Sequence, residues 1–229
     1  MIEWVIEVHN HFTLKPETLY LTINIIDRYL GFEKVKRNKL QLIAVSAMFI
    51  AGKYEEIYPP ELRDYVYVCK NGFNKTDILR AEFEILRKLD FNMLTISPFL
   101  IYQRLYLITK TSFDDLYGKI GNTSYHIGCF FLELSLFEYK MLKYSPSVIA
   151  SSAIFATRKL MKIKPTWPSE NMKNCFNYDS KEVLECSKEL FGLTKRYINS
   201  TLVNLKNKYS NKDYFKAYEV ICELLNKSA

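Results

Sequence analysis

Glycine and proline are scarce in this 229-residue sequence, seven of each. That composition excludes collagen-like and low-complexity chains. Histidine occurs three times. His9 and His11 are two apart, so on a helix they diverge, and His126 lies in a helical stretch where packing is expected of it. The five cysteines, Cys69, Cys129, Cys175, Cys186 and Cys222, contain no C-x-x-C pair, so neither a zinc site nor a disulfide framework is suggested. Their odd number leaves at least one thiol free, which fits a reducing setting, the nucleus and cytoplasm. No run reaches 18 apolar residues, so no membrane span is expected. Glu3, Glu7 and His9 interrupt the first decade, unlike a signal peptide, and the sequons at Asn74, Asn122 and Asn199 are expected to be unused. The phosphate-loop string G-x-x-x-x-G-K-S/T, G-x-S-x-G and H-E-x-x-H are all missing. Glu55 and Glu56 are adjacent and would not share a helix face, a poor arrangement for general acid/base work. Catalysis, a cofactor and a metal centre are not expected.

What the chain does have is apolar surface. Apolar residues make up 48%, with 17 Tyr and 15 Phe, enough to bury a large core. Lysine and arginine exceed the acids by 7, but the excess is spread out. Lys206, Lys208 and Lys212 are expected on a solvated C-terminal face, and no nucleic-acid arm is apparent.

The periodicity is helical throughout. Leu19, Ile23, Ile26 and Leu30 recur at 4-3-4 spacing behind Pro16, which suits a first helical turn. From Asn38 to Lys53 the chain is apolar nearly all round, as a helix at the centre of a bundle would be. The pattern predicts helices over 1–12, 16–31, 38–53, 60–70 and 74–90. A boundary is expected near Leu94 to Pro98. A second series follows over 98–109, 122–138, 145–162, 180–191 and 194–208, again with an unusually apolar third member, before a short last helix. Lys164 to Ser169 reads as an irregular link anchored by Trp167. The shared rhythm suggests a duplicated all-α domain. Gly52, inside the third helix, is expected to weaken it by about 1 kcal/mol relative to Ala.

One stretch reads as a surface for a protein partner. Phe49 to Pro60 ends the central helix with charges among aromatics, and Glu82 lies on or beside the apolar face of its own helix. Lys53 and Glu82 can be an internal salt bridge or snorkelling stems. They can also be polar anchors for a docked chain, with Ile50, Leu86, Phe91 and Met93 as apolar contacts.

At these residues the sequence resembles the cyclin box of mitotic A/B-type cyclins. The resemblance is carried by Trp4-Val-Ile-Glu-Val8, Asn24-Ile-Ile-Asp-Arg-Tyr-Leu30, Lys39-Leu-Gln-Leu42 and Lys53-Tyr-Glu-Glu-Ile-Tyr-Pro-Pro-Glu61. It continues through Ile78-Leu-Arg-Ala-Glu82, Leu89-Asp-Phe91, Leu142-Lys-Tyr-Ser-Pro-Ser-Val-Ile-Ala150, Trp167-Pro168 and Lys206-Asn-Lys-Tyr209. It implies two tandem cyclin folds of five helices each, an N-terminal box over 1–93 and a C-terminal fold over 94–229. The implied function is to bind and allosterically activate a cyclin-dependent serine/threonine kinase in cell-cycle control, without contributing a catalytic atom.

By the same resemblance, Lys53 and Glu82 would bond to the kinase near its αC helix, and Ile50, Glu56, Leu86, Phe91 and Met93 would line the contact. Trp4, Glu7, Leu40 and Gln41 match a groove that receives Arg/Lys-x-Leu peptides of substrates; without the family, Trp4 reads as a core residue. The family's first helix is cut at Met1, so docking there is expected to be weak. Two other readings stand beside this one: a cyclin partner of a transcription-type kinase, and a double cyclin-fold adaptor for nucleic acid.

Overall fold

The computed structural model describes residues 1–70, 72–109, 118–164, 166, 180–197 and 202–226, all helical or connecting. These fall into two compact units, Met1–Ser97 and Pro98–Ala229.

The first unit holds α1 (Ile2–His11), α2 (Pro16–Phe32), α3 (Leu40–Glu55), α4 (Leu62–Val68) and α5 (Lys75–Lys88). Pro16 stands in the first turn of α2, and Asn74 caps α5 by accepting from the Asp77 amide at 2.9 Å. The cap is reciprocal, since Asp77 accepts from the Asn74 amide at 3.0 Å. α3 begins two residues later than the apolar pattern suggests, because Arg37–Lys39 form a 3-10 turn first. From Ile43 to Gly52 every residue of α3 is buried. It packs against α1, α2, α4 and α5, which is why its sequence has no polar face. Ser46, inside that run, spends its hydroxyl on the Ile78 carbonyl of α5 at 3.4 Å.

The second unit holds α6 (Pro98–Ile108), α7 (Lys119–Ser135), α8 (Pro146–Leu160), α9 (Ser180–Tyr197), α10 (Val203–Ser210) and α11 (Ala217–Asn226). Here too the third helix is central: α8 packs on α6, α7, α9 and α11, and Val148 to Ile154 are all buried. Ser152 bonds the Val183 carbonyl of α9 at 3.0 Å, the counterpart of Ser46. Gly128 of α7 lets α6 come close. A Cβ there would lie 1.9 Å from the Tyr102 hydroxyl, which donates to the Tyr125 carbonyl at 3.0 Å.

Three expectations are corrected in this unit. No break occurs at 192–193. α9 runs through Gly192, because Val183, Cys186, Leu190 and Leu193 keep one buried stripe and Thr194 bonds the Leu190 carbonyl at 2.8 Å. α7 starts and ends three residues before the expected span, since Leu136 and Phe137 form turns back to Glu133 and Leu134. Lys208 is not on a solvated face. It is 5% exposed and pairs at 2.6 Å with Glu133 of α7, itself 5% exposed, while Tyr209 donates to the same carboxylate oxygen at 2.8 Å. Trp167, Cys175 and Asn199 lie outside the described residues.

Candidate protein-docking site

Two helices of the first unit and the segments that leave them carry the proposed anchors. Lys53 is in the last turn of α3, and its ammonium lies 4.2 Å over the ring of Phe49, one turn back. The same ammonium pairs with Oε1 of Glu82 on α5. The two are unequally solvated: the Lys53 side chain is 44% exposed and that of Glu82 only 11%. One oxygen of Glu82 engages one of the three ammonium donors, so the remaining donors are open to water or a partner. Ile50 and Met93 are buried, Leu86 is half-buried, and Phe91 is 62% exposed.

Phe91 is held out by its backbone. Asp90 and Phe91 both have positive φ, 51° and 55°, which costs a non-glycine residue about 1 kcal/mol or more. The Phe91 amide nevertheless closes on the Leu86 carbonyl at 2.9 Å, and Arg28 braces the next residue by donating to the Asn92 carbonyl at 2.8 Å. An aromatic ring is thus presented to solvent from a strained, hydrogen-bonded helix end.

Glu56 has an internal duty that its sequence context does not reveal. Its Oε1 accepts from the Lys15 amide at 2.7 Å and the Thr18 hydroxyl at 2.5 Å. It therefore caps the N-terminus of α2, where a carboxylate also meets the favourable end of the helix dipole. Lys15 returns the bond through its ammonium to the Glu55 carbonyl at 2.9 Å. This clasp fixes where the chain goes after α3. Beside it, the Tyr65 ring stands edge-on to Phe49 and Phe12, each at 5.3 Å. Burial, with Glu56 and Asp64 nearby, pushes its phenol far up, and its hydroxyl meets no hydrogen-bond partner among the described residues.

The Phe49–Pro60 stretch exposes Tyr54, Ile57 and Tyr58, the last 92% exposed, and α5 exposes Leu79 and Phe83, which the sequence did not single out. The signal was available for α5. Leu79, Phe83 and Leu86 form an i, i+4, i+7 stripe beside the core stripe of Ile78, Ala81 and Ile85.

The four residues expected to form the peptide groove fall in two places. Trp4 and Glu7 of α1 line a cleft with Val8, His11, Tyr67, Val68 and Lys70, so its second wall is the end of α4. Leu40, half-buried, and Gln41, exposed, open α3 and do not line that cleft. His9 diverges from His11 and bonds the Lys15 carbonyl at 2.9 Å. Among the described residues no group of His, Cys, Asp and Glu could hold a metal ion, and no helix is long and apolar enough to cross a membrane.

Residues 1–94 match the family model "Cyclin, N-terminal domain" and residues 107–223 match "Cyclin, C-terminal domain". The chain belongs to the cyclin family. It is 37% identical over 211 residues to the G2/mitotic-specific cyclin S13-7 of Glycine max, covering 92% of this chain and 78% of that one. Cyclin-B1-3 of Arabidopsis thaliana is 38% identical over 210 residues, covering 92% of this chain and 48% of its own. A G2/mitotic-specific cyclin-B of Patella vulgata is 36% identical over 216 residues, covering 94% and 50%. This cyclin thus spans about half the length of the last two. Among solved structures, a viral cyclin from herpesvirus saimiri superposes with a TM-score of 0.74 at 16% identity, over 89% of this chain and 84% of that one. A chain of the CAK complex of Chaetomium thermophilum gives 0.65 at 16% identity, over 99% and 70%. At that identity the fold is what they share: two tandem helical cyclin domains.

Proposed function

We propose that this cyclin is the non-catalytic regulatory subunit of a cyclin-dependent serine/threonine kinase of the mitotic type, acting in the nucleus and cytoplasm. The observation that carries the reading is the Lys53–Glu82 pair, set on the same elements as exposed Tyr54, Ile57, Tyr58, Leu79, Phe83 and Phe91. A few polar anchors among large apolar side chains is how a protein interface is built. Docked there, the kinase αC helix would be pressed inward, completing its Lys–Glu ion pair and freeing the activation loop, a bias on a two-state element. The G2/mitotic names of the relatives support the mitotic type. The cleft with Trp4 and Glu7 supports a second, weaker contact, in which a leucine lies on the indole and an Arg or Lys meets the carboxylate.

The test is reconstitution. Tagged cyclin from its own cells is expected to bring down one cyclin-dependent kinase, and the pair should phosphorylate a peptide that neither phosphorylates alone. ATP turnover by kinase-free cyclin would overturn the reading, as would a bound kinase left unstimulated. A second reading, a partner for a CAK-type or transcription-type kinase, is favoured by the fold shared with the CAK complex; the identity of the captured kinase decides between them.

A further inference from the structure

The sequence contains two Ser–Pro dipeptides, Ser97–Pro98 and Ser145–Pro146. Ser97 is buried. Ser145 is exposed, and it lies in extended backbone, with Tyr144 at φ −91°, ψ 141° and Ser145 at φ −65°, ψ 152°. Pro146 then begins α8. The Ser145 hydroxyl is loosely held: it accepts from the Val148 amide at 3.4 Å and shares a 3.0 Å bond with the Ser147 hydroxyl. Two residues upstream, Lys143 binds Glu189 of α9 at 2.6 Å, and Tyr144 donates to the same oxygen at 2.9 Å. Lys140 is exposed nearby in the same 3-10 turn.

We propose that Ser145 is a phosphoacceptor for a proline-directed serine/threonine kinase, and that its phosphate draws Lys143 away from Glu189. In the transfer, Ser145 Oγ attacks the γ-phosphorus of ATP, and the new P–O bond replaces the one to the bridging oxygen of the departing ADP. The hydroxyl proton passes to the kinase's catalytic carboxylate. The extended Tyr144–Ser145 backbone suits an active-site cleft, and the proline presents no amide that the cleft would have to satisfy.

Once made, the phosphate carries close to two negative charges and three strong acceptors. The Val148 amide already donates to Ser145 Oγ at 3.4 Å, and the first-turn amides of a helix have no intrahelical acceptor, which favours an anion there. Lys143 now has a dianion in place of one carboxylate, and Glu189 is left beside a like charge. The phosphate therefore strengthens the start of α8 and loosens the tie between the α7–α8 connection and α9.

The inference does not rest on the proposed function, since any proline-directed kinase serves. The full chain is incubated with ATP and a proline-directed kinase that needs no cyclin, and phosphate is mapped by mass spectrometry. Phosphate is expected on Ser145 and not on Ser97. Pro146→Ala, checked for an unchanged circular dichroism spectrum, should cut incorporation at Ser145 at least tenfold, and Ser145→Ala should abolish it. The phosphorylated chain should melt at a higher temperature than the unmodified one, and Lys143→Ala should shrink that gap. Wild-type protein that stays unmodified at Ser145, or folded Pro146→Ala that is modified equally fast, overturns the phosphoacceptor. A melting gap that Lys143→Ala leaves unchanged overturns the role of Lys143.

Discussion

A methyl group at position 52 would stand 2.8 Å from the Tyr65 hydroxyl, so Gly52 is where α3 makes room for a buried phenol. The sequence shows only a glycine in a helix, hence the expectation of a simple weakness. The structure supplies the compensation. Gly52→Ala should gain about 1 kcal/mol of helix propensity and lose about 1–3 kcal/mol to overpacking, a net loss of about 0–2 kcal/mol. In a Tyr65→Phe background the same substitution should stabilise, and urea unfolding of the four proteins measures both signs. Asp27 of α2 is a second residue whose character is invisible in the string. Burial raises its carboxyl to about 6, so the folded chain holds a proton there that the unfolded chain has released above the ordinary value of 3.8. Ionising it in the fold costs stability as pH rises from about 4 through 6. Asp27→Asn should therefore stabilise the cyclin at pH 7.5, by about 1 kcal/mol after allowing for solvent screening. The gain should fade by pH 4.5, which melting curves at the two pH values would show.

At the scale of elements, the first unit was legible because its helices are bounded by strong local signals: Pro16, the Asn74–Asp77 cap, and an apolar run with no polar face. The end of the chain was not. Gly192 costs a helix about 1 kcal/mol, but burial of Leu190 and Leu193 on either side outweighs it. Lys208 reads as a surface lysine because its partner, Glu133, lies 75 positions away. With both side chains 5% exposed, removing either one strands a buried charge or its unpaired partner. Lys208→Met is expected to cost about 3–5 kcal/mol, and Lys208→Met with Glu133→Leu clearly less than that. Hydrogen exchange should show α10 opening first in the single variant. Additive losses in the two single variants and the double would show that the pair is not coupled.

For the whole molecule, the family string Lys53 to Glu61 is what suggests the proposed docking face, whereas physics alone left Lys53 and Glu82 undecided between an internal bridge and a binding anchor. The free chain forms the bridge, and its asymmetric burial separates the two roles by experiment. Glu82→Ala leaves an ammonium that is already 44% exposed and can turn to water, so it should cost folding about 0–1 kcal/mol. Lys53→Ala leaves a carboxylate 11% exposed without its partner, and should cost about 1–3 kcal/mol. A purely internal bridge predicts that order in melting temperature and equal kinase affinity for every variant that stays folded. An anchor predicts that both variants also lose about 2–5 kcal/mol of complex stability, since each strands polar groups of the kinase. Affinity must then fall even for Glu82→Ala, which hardly moves the melting temperature. Titrating the kinase against wild type, both single variants and the double at a temperature where all four are folded settles it. Unchanged affinity in Glu82→Ala would leave the apolar rim, Tyr58, Phe83 and Phe91 foremost, as the part of this face that holds a partner.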